Sequence, residues 1–86
     1  MEKETNKFNL NRLKMENTKQ VIGFILKEYE LKDAIKYLIN VYNYDFAASV
    51  LNVSIGYLNL INKNKKVPSD KTINIMLKNL ENWVEK

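Results

Sequence analysis

The 86 residues include no cysteine and no histidine. Those two absences exclude disulfides, zinc sites built on sulfur or imidazole, and every arrangement in which an imidazole activates a nucleophile. Long apolar runs are missing too. The longest, Val21 to Leu26, is interrupted by Gly23, whereas a membrane-spanning helix needs about 20 consecutive apolar residues. No apolar block follows a basic start, so a secretory signal is not expected, and the chain reads as a cytoplasmic protein with no membrane partner. Arginine is represented by Arg12 alone.

What is present is ordinary for a globular protein. The hydrophobic fraction of 45% argues against wholesale disorder, and the length allows one domain with one modest core. The ten acidic residues are scattered. Pairs such as Lys27-Glu28 and Lys32-Asp33 read as a solvated surface, and no carboxylate pair is placed for acid–base chemistry. A non-enzymatic protein without metal or cofactor is therefore expected. The formal charge is +4. Its distribution says more than its sum, because Lys63, Lys65, Lys66 and Lys71 are opposed over that stretch only by Asp70. A short lysine run is commonly just a solvated loop, so its meaning depends on what lies beside it.

The spacing of apolar residues predicts an all-α fold, a small bundle of four to five helices. Residues 1–17 read as a flexible or loosely docked segment, touching the rest through Leu10 and Leu13. Residues 18–86 form the single domain. Thr18 is placed to cap a helix carrying Val21, Ile22, Ile25, Leu26 and Tyr29. A second stripe, Leu31, Ala34, Ile35, Leu38, Ile39 and Tyr42, either continues that helix or follows a corner near Lys27–Glu30. Asn43 starts a short helix with Phe46, Ala47, Val50 and Leu51, which Asn52 closes. Ser54 starts the next, over 55–63, with Leu58 and Ile61 inward. A basic loop, Asn64 to Pro68, leads to a last helix that begins at Ser69 or Asp70. That helix presents Ile73, Met76, Leu77, Leu80 and either Trp83 or Val84, which either cap the core or form a homodimer contact.

The stretch from Ala47 to Ser69 carries the functional signal. Two helices joined by so short a turn must cross closely, which asks for a small residue at the contact (Ala48). The turn asks for a residue that tolerates positive φ (Asn52). Val53 plugs the elbow, Ser54 caps the second helix, and Leu51, Leu58 and Ile61 fill the wedge between the two. These local choices agree with one another.

In this respect the chain resembles the lambda-repressor-like (Cro-type) helix-turn-helix family. Ala48, Leu51, Asn52-Val53-Ser54, Leu58, Ile61, Lys63-Asn64-Lys65 and Pro68-Ser69 match its pattern over roughly 31–80, with Asn52 where glycine is usual. The resemblance implies that the helix starting at Ser54 enters the major groove of duplex DNA. Ser54, Ile55, Gly56, Tyr57 and Asn59 would lie nearest the bases, with Leu60 at the margin. Lys63, Lys65 and Lys66 would meet flanking phosphates. Asn59 would read adenine, and Ile55 would meet thymine methyls. Family members usually carry polar or basic residues where this chain has Ile55, Gly56 and Leu60.

Two functions follow as expectations. One is a small transcriptional regulator of phage or mobile-element type, binding DNA as a homodimer through the C-terminal helix. The alternative is a protein-interaction module, an inhibitor or adaptor, whose partner contacts the apolar Ile55 and Leu60.

Overall fold

A computed structural model describes residues 2–86, with side chains described from residue 13 onward. Five helices follow in order: α1 (Glu2–Glu28), α2 (Leu31–Val41), α3 (Tyr44–Leu51), α4 (Ile55–Asn62) and α5 (Asp70–Glu85). No strand occurs among the described residues, so the expected all-α bundle is what the chain forms. No helix is long and apolar enough to cross a membrane among those residues.

Every helix contributes to one core. Ile22 enters from α1, Ala34, Ile35 and Leu38 from α2, Ala47, Ala48 and Leu51 from α3, Leu58 and Ile61 from α4, and Met76 and Leu80 from α5. Each large side chain fully removed from water contributes about 1.5–3 kcal/mol. The apolar stripes of the first two helices meet only if the chain reverses between them, and it does so at Tyr29-Glu30. The Tyr29 N–H still donates to the Ile25 carbonyl at 2.7 Å. Glu30 is extended, and its N–H donates to Asp33 Oδ2 at 3.1 Å. The corner therefore supplies its own hydrogen bond without glycine or proline.

At its N-terminal end α1 departs from expectation. It runs through position 18 unbroken, so Thr18 is not an N-cap. Its hydroxyl donates to the Lys14 carbonyl at 2.7 Å, one turn back, and the residue is buried against Tyr42, whose hydroxyl lies 3.5 Å away. A threonine can satisfy its polar group inside a helix as well as at its start. Leu13, expected to dock, is exposed; the side chain of Leu10 lies outside the described residues.

The later boundaries follow the capping residues. Asn43 Oδ1 accepts from the Phe46 N–H at 2.8 Å, and Ser54 Oγ from the Tyr57 N–H at 3.1 Å. Ser69, rather than Asp70, caps α5, accepting from the Thr72 N–H at 3.2 Å. Asn52 is left-handed, with φ 59° and ψ 49°. Its N–H reaches Ser49 O at 3.3 Å and the Val53 N–H reaches Ala48 O at 3.1 Å. This paired closure defines a Schellman motif. The same geometry recurs at the end of α4, which stops at Asn62, one residue short of the expected Lys63. Asn64 has φ 60°, its N–H meets Ile61 O at 3.0 Å, and the Lys65 N–H meets Leu60 O at 2.8 Å.

A β-carbon without a local polar group is costly in the left-handed region, by about 1–2 kcal/mol. Replacing Asn52 by alanine is therefore expected to lower stability by about 1 kcal/mol, while glycine at the same position leaves it equal or higher. Urea unfolding of the two variants checks this, and equal losses would contradict the assignment.

Candidate nucleic-acid interface

The candidate surface is built by fixing α4 along its inner side and leaving its outer side open among the described residues. Leu58 is fully buried and Ile61 nearly so. Ala48, on α3, is also buried. Polar ties hold the ends. Asn62 Nδ2 donates to the Tyr44 hydroxyl at 2.7 Å, joining the end of α4 to the start of α3. Asn79 Nδ2 on α5 donates to the Leu51 carbonyl at 2.9 Å. Carbonyls in the last turn of a helix lack intrahelical partners, so this bond satisfies an acceptor that would otherwise be orphaned.

The outer side carries three of the expected residues. Ile55 is 48% exposed and Leu60 is 42% exposed. Gly56 lies between them, and a β-carbon built on it would meet nothing within 4 Å. Gly56 and Leu60 are four residues apart and so share a face. Ser54 is exposed at the start of the helix, with its oxygen accepting the capping bond described above. Tyr57 is half-buried on one flank, with the Lys66 ammonium 5.2 Å from its ring centre, within reach of a cation–π attraction.

Asn59 is less exposed than Ile55 and Leu60. It is half-buried, and its Oδ1 is enclosed with no hydrogen-bond partner. Bidentate adenine recognition needs both amide atoms free, and in this rotamer the carbonyl oxygen is not.

Lys63, Lys65 and Lys66 are all exposed at the C-terminal end of α4. The Schellman closure at Asn64 turns the backbone between the first and the other two. Sequence reasoning missed Lys32. Its ammonium donates to Asn64 Oδ1, linking the start of α2 to the basic loop. Thirty-two positions separate the partners, so no local pattern signals the contact. Trp83, one of the candidates for a dimer contact or for capping the core, is partly buried, its ring centre 5.9 Å from that of Phe46 in an edge-on arrangement and with Lys19 5.2 Å above it. Val84 also packs on the core, leaving Ile75 as the exposed large apolar residue of α5.

Comparison with protein families, characterised proteins and solved structures found no match.

An exposed glycine inside a helix costs about 1 kcal/mol relative to alanine. With open space around its α-carbon, Gly56→Ala is expected to raise the unfolding free energy by about 0.5–1 kcal/mol. Thermal or chemical unfolding measures it, and destabilisation would mean that this face is covered.

Proposed function

We propose that the chain is a cytoplasmic, non-enzymatic DNA-binding protein, a small transcriptional regulator that uses α3 and α4 as a helix-turn-helix. In this reading α4 lies in the major groove with Ile55, Gly56 and Leu60 toward the base edges. Lys63, Lys65 and Lys66 meet the flanking phosphates. The observation that carries the reading is the juxtaposition of an uncovered helix face with three exposed lysines at its end. The bare α-carbon of Gly56 favours close approach of the backbone to a ligand, and apolar groups suit thymine methyls. The lack of an arginine between Tyr44 and Lys66 and the enclosed Asn59 oxygen weigh against guanine and adenine contacts and toward binding governed largely by phosphates and methyl groups.

A second reading is favoured by a specific observation. The outer face of α4 is apolar, with Ile55 and Leu60 close to half exposed, and such a face also suits a protein partner. In that case the fold would serve as an inhibitor or adaptor.

Duplex binding measured by fluorescence anisotropy across a salt series separates the two. Three phosphate contacts per chain give a slope of log affinity against log salt of about −2.7. Lys65→Ala with Lys66→Ala is expected to make that slope shallower by about two units and to weaken binding at least about tenfold at low salt. Salt-insensitive or undetectable binding at micromolar protein would remove the DNA reading. The protein-contact reading expects the lysine variant to bind its partner normally and Leu60→Glu to lose it.

A further inference from the structure

A pocket of about 420 Å³ opens between the start of α2, the inner edge of α4, the loop from Lys63 to Ser69 and the first turns of α5. Its walls are Leu31, Ile35, Ile61, Val67, Ile73 and Met76. Ile35, Ile61 and Met76 belong to the buried core, so the floor of the pocket is the core itself. Val67 stands at the rim and is 88% exposed, an unusual position for a valine beside an apolar cavity. Lys32 and Lys66 line the opening against one acid, Glu30. The Lys32 ammonium is held there by the neutral amide oxygen of Asn64.

Size and chemistry narrow the occupant. Sites for small molecules span roughly 300–1,000 Å³, a range that includes this pocket, whereas a docked helix needs an extended groove. An apolar body would cover Ile73 and Val67 and remove their surface from water. An anionic end would offer Lys32 a charge-assisted hydrogen bond, stronger than the one it makes to an amide.

We propose that this pocket binds a small apolar carboxylate of the medium-chain acyl type, with its chain against Leu31, Val67 and Ile73, above the buried Ile35 and Met76, and its carboxylate on Lys32. Binding acts on the basic loop, because the carboxylate competes with Asn64 for Lys32, and Asn64 sets the turn that presents Lys65 and Lys66. This regulatory part rests on the DNA reading; the binding part does not. Occupancy weakens DNA binding, by loosening the loop and by adding negative charge beside its lysines.

The test uses the full chain and decanoate below its micellar range, followed by isothermal titration and methyl-resolved NMR. Decanol and decyltrimethylammonium serve as neutral and cationic controls. Saturable binding is expected, with shifts centred on Ile35, Val67, Ile73 and Met76. Decanoate should bind at least about tenfold more tightly than the cationic amphiphile, and Lys32→Met should reduce it to the level of decanol. Equal binding of both charged amphiphiles, or shifts centred on another patch such as Phe24 and Val84, would overturn the site. In a parallel titration, saturating decanoate should raise the duplex dissociation constant at least about threefold. An unchanged constant with the pocket occupied overturns the regulatory part alone. Failure of the ligand-free chain to bind duplex overturns the DNA reading and leaves the pocket result standing.

Discussion

Between α3 and α4 the chain has three residues, 52–54, in which to turn and start a new helix. It manages this because Asn52 occupies the left-handed region, where its N–H and that of Val53 close back onto the last turn of α3. So short a connection leaves the two helices no room to separate. A small side chain eases such close packing, and Ala48, one turn before Asn52, is buried. Ser54 takes up a first-turn N–H of α4 as soon as the turn is complete. Much of the local structure from Ala47 to Leu58 follows from this one backbone conformation.

Its consequence for the surface is equally direct. Once Leu58 and Ile61 are committed to the core, the opposite side of an eight-residue helix is left uncovered among the described residues. The exposed side of Ile55, Gly56 and Leu60 is thus a product of packing on the other side. The second left-handed asparagine, Asn64, repeats the device and turns the chain within the lysine-bearing segment that follows that same helix. Here the turn is reinforced from a distance by Lys32 on α2, which makes the basic loop part of the bundle rather than an appendage. The same tie borders the pocket, so one amide joins the turn, the cationic strip and the cavity.

Three polar contacts hold this arrangement across the chain: Asn62 to Tyr44, Asn79 to the Leu51 carbonyl, and Lys32 to Asn64. Each joins elements that hydrophobic burial alone would leave free to slide. A neutral hydrogen bond contributes only about 0.5–1.5 kcal/mol net, but an orphaned buried partner costs more. The value of these contacts lies in selecting one relative placement of the helices.

Apolar periodicity and capping chemistry are local, and much of them was legible: the helical class, most of the stripes of α2 through α5, the caps at Asn43 and Ser54, Ser69 as one of two candidates, and the left-handed Asn52, but not the capping box at Glu30 or the left-handed Asn64. Thr18 was misplaced because a threonine hydroxyl serves a helix start and a helix interior with equal ease, and only the neighbouring turn decides. Asn59 illustrates the same limit at the site. Its position in α4 follows from counting residues, yet whether its amide faces a groove or the protein depends on how deeply α4 sinks against its neighbours. The corner at Tyr29-Glu30 was open for a related reason, since both a straight helix and a reversal satisfy the local hydrogen bonds, and burial of both stripes in one core chooses the reversal. The amino-acid order alone therefore determined the elements and their inward faces, which depend on interactions within about four residues. The outward faces, the Lys32–Asn64 tie and the pocket were decided by tertiary packing, because each joins groups that meet only after the core has closed.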